Sequence, residues 1–347
     1  MAQTNGNLHQ AKKAKFDEFY TRFEDVVAEL NGYWPDFEHR TVYCNCDDTG
    51  ESAFWKYFQA NFANMRLNRV IGTHYDRERP SYATVLDWAE NADVWRSDPR
   101  FANRIVVDVA GTDRTVVLTT LRLNGNGDFR SRESVAFLDM SDIVCTNPPF
   151  SLFREYVAQI VEHGKGFLIM GNMNAVTYKE IFPLIKDGRL WAGSKFNKCF
   201  EYRVPDSYPL TGNKCRQDEN GVKYVTVPAI AWYTNLDHPK RHRPLDLFRR
   251  YTPERYPEYD NYSAINVDKV ADIPEDYMGP MGVPISFLDK WCPEQFEILG
   301  FWNAGTAGEA LGARMTEAES GKRLIIWNGP TVARKTKYFR IIIRRVI

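Results

Sequence analysis

The tetrapeptide Asn147-Pro148-Pro149-Phe150 combines residue types that suit a reaction at an exocyclic amino group. The side-chain oxygen of Asn147 can accept one amino hydrogen of a nucleobase. The Pro148 carbonyl can accept the other, because two consecutive prolines fix the backbone and hold the loop rigid. Phe150 offers a flat face on which an extruded base can stack. The pattern predicts transfer of a methyl group to the amine, in line from a sulfonium donor, without a general base acting first.

The residues around this tetrapeptide indicate where it lies in the fold. It follows the strand-like run DIVCT and precedes a helix with an apolar face, for which Ser151 is the predicted N-cap and Gly164 the stop. In an α/β sheet, ligands bind at the carboxyl ends of strands. The sequence therefore predicts a ligand site at this position.

The chain from residue 41 to about 236 alternates β-branched runs with helical patterns, which is typical of an α/β fold with a mostly parallel sheet covered on both faces. A helix is predicted over residues 175–187 and a hairpin within residues 105–118, as an insertion in the α/β pattern. Seven strands are predicted, at residues 41–46, 69–75, 116–123, 142–147, 166–172, 190–194 and 228–236.

Composition excludes several classes of protein. The 347 residues contain 44% hydrophobic and 26% charged residues, which argues against disorder. Lys plus Arg number 45 and balance 45 Asp plus Glu, so any basic surface must be local. No apolar run reaches the roughly 20 residues of a membrane span, and no export signal is recognisable, so we expect a cytoplasmic protein without membrane contact. The six irregularly spaced cysteines favour reduced thiols and no metal site.

Charge becomes segregated after residue 237, where the α/β alternation ends. Residues 238–255 carry a net charge of +4 and residues 322–347 a net charge of +8, whereas residues 258–297 between them carry −7. We therefore predict a catalytic domain at 1–237 and a DNA target-recognition region at 238–347. The alternative is ordinary solvated charge.

The tail sequence YFRIIIRRVI alternates in the manner of a strand. Its pattern predicts that Ile341 and Ile343 face a core and that Arg340 and Arg344 face outward. The candidate DNA-binding residues are Arg340, Arg344 and Arg345.

The Asn147-Pro148-Pro149-Phe150 loop resembles motif IV of amino-group methyltransferases that use S-adenosylmethionine (SAM). Together with KKAKFDEFYTRF, VYCNCDD, GDFRS, TNPPFSLFREY and GNMNAVTYKEIF, it makes the chain similar to the EcoRI-type adenine-specific DNA methyltransferases. The tail runs GVPISFLDKW and YFRIIIRR also resemble this family. The resemblance implies a Rossmann-like class I methyltransferase sheet of seven strands and transfer of a methyl group from SAM to N6 of a flipped adenine in double-stranded DNA.

The resemblance also implies a set of cofactor-binding residues. They are Phe19, Tyr20 and Thr21 at the methionine end of SAM, Asn45, Cys46 and Asp47 in place of motif I, Asp76 at the ribose, and Asp128 and Phe129 at the adenine. The chain departs from the family pattern at motif I, because the usual glycine-rich loop is absent and only Gly50 remains. The alternative for this loop is that Asp47 or Asp48 caps the following helix. For the 17–21 segment the alternative is an ordinary helix start, and for Asp128 a turn.

A second aromatic residue should stack on the target base opposite Phe150. Phe196 is the candidate from its place before the seventh strand, and Phe200 is the next choice.

Other functions remain compatible with the sequence: an N4-cytosine DNA methyltransferase, a protein-glutamine methyltransferase, or a DNA-binding relative that has lost catalysis. A cognate restriction endonuclease that acts on the same site without direct contact would be a further functional partner.

Overall fold

The computed structural model describes residues 20–76, 80–109, 113–196, 198–204, 208–209, 214–320 and 323–346. The chain divides into two units. The first contains the described residues of 1–175 and of 192–237, and the second those of 176–191 and of 238–347. No helix in the described ranges is long and apolar enough to cross a membrane.

A large mixed sheet forms the centre of the first unit. Its strands are β1 Tyr20–Thr21, β2 Thr41–Asn45, β3 Arg69–Thr73, β4 Tyr82–Trp88, β5 Phe101–Asp108, β6 Thr115–Arg122, β7 Ile143–Thr146, β8 Gly166–Asn172, β9 Trp191–Ala192, β10 Lys198–Val204, β11 Cys215–Gln217 and β12 Lys223–Thr234. Their order is β1-β10-β12-β8-β7-β2-β3-β4-β6-β5, with β9 and β11 off this path. The prediction of an α/β fold is confirmed, but the described sheet has twelve strands rather than seven. It is mixed rather than mostly parallel as predicted, because β4, β5, β6, β10 and β12 pair in antiparallel fashion.

Four central strands, β3, β2, β7 and β8, run parallel to one another. They are continuous apolar runs, and Val42, Val144 and Leu168 are fully buried. Parallel strands need this composition because both faces of the sheet are covered. The helices of the first unit are α1 Phe23–Leu30, α2 Trp34–Phe37, α3 Ala53–Asn61, α4 Ala89–Ala92, α5 Arg132–Met140 and α6 Phe153–Glu162, with 3₁₀ segments at Asn31–Tyr33, Asp93–Ser97, Phe150–Leu152 and Met173–Thr177.

The predicted hairpin is present, because β5 and β6 pair in antiparallel fashion. The sequence pattern missed β4, which pairs antiparallel with both β3 and β6. Ser151 is not an N-cap: the chain makes a 3₁₀ turn before α6, whose N-cap is Leu152. Gly164 ends the helix as predicted, with φ of +64°.

The strand order creates a topological switch point. From β2 the chain passes to β3 on one side of the sheet and later returns to β7 on the other side. Ligands bind in the crevice outside the carboxyl ends of strands at such points. The residues that follow β2 and β7 therefore border the expected ligand site.

The second unit contains two small sheets. The first has the order β13 Glu258–Tyr259, β14 Tyr262–Asn266, β15 Met281–Val283, β21 Arg340–Arg345 and β16 Phe296–Trp302, and the second the order β18 Arg323–Trp327, β17 Thr316–Ser320, β20 Lys335–Thr336 and β19 Thr331–Val332. The helices are α7 Phe182–Lys186 and α8 Thr306–Ala310, with 3₁₀ segments at Pro239–His242, Val270–Asp272 and Ile285–Lys290. The helix predicted over 175–187 is thus α helical only over its last part.

The tail forms a strand, as predicted, but its faces differ from the prediction. Ile341 and Ile343 are buried, and so are Ile342 and Arg340. Simple alternation fails because β21 is a central strand between β15 and β16 and is covered on both faces.

Candidate active site

The loop after β2 forms one wall of the switch point. Asn45 is buried, and its Oδ1 accepts hydrogen bonds from the Thr73 hydroxyl at 3.1 Å and the Cys46 thiol at 3.5 Å. Thr73 lies at the end of the neighbouring strand β3. These contacts fix the loop to the carboxyl end of the sheet.

Cys46 has a left-handed backbone conformation, with φ of +63°. This conformation strains most residues other than glycine and is concentrated at functional sites. The sharp turn that a glycine-rich loop would supply is therefore made here by a cysteine. Burial raises the pKa of the Cys46 thiol, which keeps the thiol protonated.

Asp47 contacts the strand end that precedes the Asn147 loop. The Thr146 hydroxyl lies 2.7 Å from Asp47 Oδ2 and also contacts the carbonyl oxygen of Asn45. Burial raises the pKa of Asp47 to about 7, against the lowering effect of hydrogen bonds from Thr146 and Ser52. The carboxyl group thus changes its charge near neutral pH.

The contacts of Asp48 and Ser52 show which residue caps the helix α3. The N-cap of α3 is Ser52, whose hydroxyl accepts from the Trp55 N–H at 3.2 Å. Asp48 Oδ1 accepts from the Tyr82 hydroxyl at 2.9 Å and from the Gly50 N–H at 2.8 Å. Neither Asp47 nor Asp48 is therefore the side-chain N-cap, which leaves the ligand interpretation of Asp47 in place.

Two further loops lie next to one another at this edge of the sheet. The Asp76 N–H donates to the Asn126 carbonyl at 2.9 Å, which joins the loop after β3 to the loop after β6. Gly127 makes this approach possible: it has φ of +79°, and a Cβ atom there would collide with the His74 carbonyl. Asp76 and Asp128 are thereby held on neighbouring loops.

Asp128 is an ionised carboxylate held by Arg130. The Nε and Nη2 atoms of Arg130 lie 2.9 and 2.7 Å from the two carboxylate oxygens, and these hydrogen bonds lower the pKa of Asp128. Phe129 is buried and its ring packs edge-on against Tyr156 at 5.0 Å. The ring of Phe129 is therefore a core contact, whereas the Asp128 carboxylate is half-buried.

The Asn147 loop has the rigid form that its sequence predicts. The Leu152 N–H donates to the Pro149 carbonyl at 2.9 Å and closes the 3₁₀ turn. Within the described residues nothing donates to the Pro148 carbonyl, so it keeps its acceptor capacity. Pro148 is buried, whereas Asn147 and Phe150 are half-buried. The loop thus combines a fixed backbone with a partly accessible ring.

The two candidates for the second stacking aromatic are both core residues. Phe196 is 3% exposed and packs edge-on against Tyr233 at 6.3 Å, and Phe200 is 4% exposed beside Tyr202. Neither ring has a free face for a base in this structure. Position in the sequence did not reveal this burial: Phe200 lies with Tyr202 on the buried face of β10, and Phe196 packs against Tyr233 of β12.

The N-terminal candidates lie at the sheet edge. Phe19 is outside the described residues. Tyr20 and Thr21 form β1, which pairs antiparallel with Arg203 and Tyr202 of β10, so this segment is a strand before α1 rather than a helix start. The Thr21 hydroxyl donates to the Met170 thioether at 3.5 Å.

Most cations of the basic segments pair with acids of the second unit. The pairs are Lys240–Asp289, His242–Glu294, Arg249–Asp272, Arg250–Glu275, Arg255–Asp272, Arg334–Glu317, Lys337–Asp268, Arg340–Asp268 and Arg344–Glu297. Acids of the same unit thus balance much of the positive charge of the two basic segments. Apart from Arg340, these cations keep at least a quarter of their side-chain surface exposed, so the prediction that the two basic segments contact DNA stays a prediction.

The three candidate DNA-binding arginines differ in accessibility. The Arg340 side chain is 8% exposed and donates to Asp268, to Asn266 and to two backbone carbonyls. Arg345 donates to the Glu275 carbonyl and is half-buried. Of these three, Arg344 alone is exposed, with 48% of its side-chain surface in solvent and an ion pair to Glu297.

Sequence reasoning missed one residue that shapes the site, Thr146, and one buried acid of the first unit, Glu29. Thr146 links the Asp47 loop to the Asn147 loop, and its place directly before Asn147 was the available signal. Glu29 is fully buried on α1 and accepts from Tyr33, from the Ser194 N–H and hydroxyl, and from the Lys195 N–H. The available signal was helical spacing, since Glu29 lies three residues after the buried Val26 and four before the buried Tyr33.

Comparisons with a family model and with individual known proteins indicate the same family. The family described as "Adenine-specific methyltransferase EcoRI" matches residues 7–346. The Type II methyltransferase M.EcoRI of Escherichia coli is 44% identical over 301 residues, which cover 86% of this chain and 90% of that protein. The Type II methyltransferase M.MpnI of Mycoplasma pneumoniae is 37% identical over 296 residues, covering 84% of each chain. The Type II methyltransferase M.MgeORF184P of Mycoplasma genitalium is 35% identical over 297 residues, covering 84% of this chain and 85% of that protein.

No solved structure matches the chain. The match to the family nevertheless spans nearly the whole sequence, and each of these relatives covers more than two thirds of it. The chain therefore belongs to the EcoRI-type family of adenine-specific methyltransferases.

Proposed function

We propose that this chain transfers a methyl group from SAM to N6 of an adenine that leaves a DNA duplex. The observation that carries the proposal is the contact between Thr146 and Asp47, 2.7 Å long, which joins the loop suited to the cofactor to the loop suited to the amine. Both loops follow parallel strands at the switch point of the sheet.

The residues at this edge fit the polar groups of SAM. The cofactor has an ammonium group at its amino-acid end and an amino group on its adenine, and both need acceptors. Asp47 is the candidate acceptor for the ammonium, Asp128 for the adenine amino group, and Asp76 for the ribose hydroxyls. Asn45 and Cys46 shape the loop that carries Asp47, and the Thr21 hydroxyl with the backbone of Phe19 and Tyr20 is the candidate contact for the carboxylate. Bound SAM would supply a methyl group activated by the positive sulfur.

Phe129 would support the cofactor site without stacking on the adenine. Its ring is occupied by the contact with Tyr156, so its contribution to cofactor binding is to hold Asp128 in place rather than to stack on the adenine. The bidentate pair with Arg130 keeps Asp128 ionised. Its Oδ1 atom already accepts from the Arg130 N–H and Nε, whereas Oδ2 accepts only from Nη2 and can accept a further hydrogen bond.

The Asn147 loop would orient and activate the target amine. Asn147 Oδ1 and the Pro148 carbonyl would accept the two amino hydrogens, which holds the nitrogen lone pair toward the incoming methyl group. Pro149 fixes the turn, and Phe150 would stack on the base. Since the proton can leave after the C–N bond forms, no residue need act as a base beforehand. The buried amine of a duplex adenine requires the base to flip out first.

The second unit is the candidate for recognition of the duplex. We retain Arg344 as a phosphate contact and assign Arg340, which is buried, and Arg345, which is half-buried, to folding of the unit. We expect sequence readout from side chains of 238–347 at the groove edges.

The experiment is methylation of DNA by the purified protein. Plasmid DNA without modified adenines is incubated with the protein and SAM, then sequenced for modified bases, with the Asn147→Ala protein as the matched control. We expect N6-methyladenine at one short sequence with the wild-type protein and none above background with the variant. Modified cytosine instead of adenine, or no modified base with folded protein, would contradict the proposal.

A further inference from the structure

Phe248 is unusually exposed. It has 81% of its surface in solvent, the highest value among the large apolar residues that the structure describes. Single exposed apolar residues are common on protein surfaces. However, a phenylalanine with so little intramolecular contact contributes almost nothing to the core. Core packing therefore does not explain why this position is a phenylalanine.

The backbone on the N-terminal side of Phe248 is held in place. The Leu245 N–H donates to Gln295 Oε1 at 2.7 Å, and Gln295 Nε2 donates back to the Leu245 carbonyl at 2.9 Å. This reciprocal pair fixes the chain three residues before the ring.

The backbone on the C-terminal side is held as firmly. The Glu275 N–H donates to the Arg249 carbonyl at 2.7 Å, and the Tyr251 N–H donates to Asp276 Oδ1 at 2.8 Å. Tyr251 also packs on Tyr277, with ring centroids 4.7 Å apart. Phe248 is thus presented to solvent by an anchored segment.

Three arginines lie close to Phe248 in the sequence. Arg249 and Arg250 follow it directly and Arg243 precedes it, with the exposed Asp246 between them. Acids also reach this segment, since Arg249 pairs with Asp272 and Arg250 with Glu275. The Arg250 side chain is 82% exposed, and exposed ion pairs such as that with Glu275 contribute little and exchange readily. Within the described ranges the Arg243 guanidinium has no ion-pair partner. Cations beside an exposed aromatic ring match a polyanion that also has flat apolar surfaces.

We infer that Phe248 is a wedge that stacks on the bases of bound duplex DNA, with Arg243 and Arg250 contacting the flanking phosphates. The inference rests on the proposed function, which supplies duplex DNA as the substrate. Many DNA-binding proteins insert apolar side chains between neighbouring base pairs. An aromatic ring that stacks on a base contacts the flat face of the base and neutralises no phosphate charge. The phosphate contacts of the arginines, by contrast, are electrostatic and fix the position of the protein on the duplex. The two kinds of contact therefore have different salt dependence.

The test compares Phe248→Ala with Ile326→Ala, which removes another apolar side chain, 63% exposed, of the same unit. Binding to duplex DNA is measured by anisotropy between 50 and 200 mM salt, on the methylated-site sequence and on a random sequence. We expect Phe248→Ala to weaken binding to the site by roughly 5- to 100-fold without changing the slope of log K against log salt. Ile326→Ala should bind as the wild type does, and Phe248→Trp should restore the affinity.

Arg243→Ala provides the opposite signature. Loss of a phosphate contact should reduce the salt slope by about 0.9, with equal effects on both sequences. All variants should keep the wild-type unfolding midpoint, because the altered side chains are exposed.

Affinity of Phe248→Ala within twofold of the wild type at every salt concentration would overturn the inference, and so would a change in its salt slope instead of its affinity. Binding is measured without methyl transfer, so this failure is distinct from failure of the proposed function, which is decided by modified adenine in the product. A wild-type protein that methylates adenine while Phe248→Ala binds normally would contradict the wedge alone.

Discussion

The hydroxyl of Thr146 lies 2.7 Å from Oδ2 of Asp47 and joins the end of β7 to the loop after β2. Thr146 immediately precedes Asn147, so one hydrogen bond connects the residue suited to the cofactor ammonium with the loop suited to the target amine. This hydrogen bond also opposes the effect of burial on the pKa of Asp47.

Replacing Thr146 with Val should raise the pKa of Asp47 further above about 7, because the donor that favours the carboxylate is removed. SAM affinity at pH 7 should fall and recover as the pH rises toward 8, as measured by calorimetry. Thr234→Val is the matched control, since Thr234 is equally buried and donates over 2.7 Å to the Phe167 carbonyl, away from the loop. Equal pH profiles for the two variants would contradict the assignment.

Asp47 itself should make SAM binding dependent on pH. The protonated carboxyl group has no charge with which to attract an ammonium, so affinity should rise as the pH increases from 6 through about 7, by at most about tenfold per unit. In Asp47→Asn the rise should disappear, and affinity at pH 7.5 should fall by roughly 10- to 100-fold, as expected for a lost hydrogen bond to a charged group. A rise that persists in the variant would mean that another group titrates.

The raised pKa of Asp47 should also make the free energy of unfolding depend on pH. This dependence tests the pKa independently of SAM binding. The pKa in the folded protein, about 7, lies above the value of about 3.9 in an unfolded chain, so the folded state binds more protons between them. The free energy of unfolding therefore loses this contribution as the pH rises through this window, and Asp47→Asn should remove that part of the dependence. Urea titrations at pH 5 and 7.5 measure it.

The sequence predicted the parts of this fold that local pattern determines. The strand Gly166–Asn172 has the bounds expected from its apolar run, and the Asn147 loop lies at the end of a buried parallel strand as expected. β4 was missed because an antiparallel strand beside the four parallel strands of a mixed sheet has no distinct period. Burial of Phe196 and Arg340 could not be predicted, because it depends on Tyr233 and Asp268, which lie 37 and 72 residues away in the sequence.

Asn147→Ala should reduce the rate of methyl transfer by two to three orders of magnitude, which is about 2.7 to 4 kcal/mol for one lost preorganised acceptor. SAM affinity and stability should remain close to wild type, because the side chain acts on the amine. Asn147→Asp keeps an acceptor oxygen and should retain more activity than Asn147→Ala. Single-turnover assays at saturating DNA separate the chemical step from binding, and more than a third of the wild-type rate in Asn147→Ala would refute the role.

Glu29→Gln should destabilise the first unit by about 1.5–3 kcal/mol, the contribution of a hydrogen bond to a charged group. The buried carboxylate accepts from four donors around Ser194 and Lys195, and an amide would place its own N–H against one of them. Burial also raises the pKa of Glu29, against these hydrogen bonds. Glu24→Gln, on the exposed face of the same helix, is the control and should leave the urea midpoint unchanged. Equal midpoints for both variants would contradict the structural role.

Arg340 and Arg344 should affect different properties although they lie four residues apart on β21. Arg340 is buried against Asp268, Asn266 and two carbonyls, so Arg340→Met should lower the free energy of unfolding by about 1–3 kcal/mol through the unsatisfied acceptors. It should leave the salt slope of DNA binding unchanged. Arg344→Gln should reduce that slope by at most about 0.9 with little effect on unfolding, because its ion pair with Glu297 is exposed. A loss of about three units of slope on neutralising Arg340, Arg344 and Arg345 together would instead require all three to reach phosphates, and β21 would then have to leave its sheet on DNA binding.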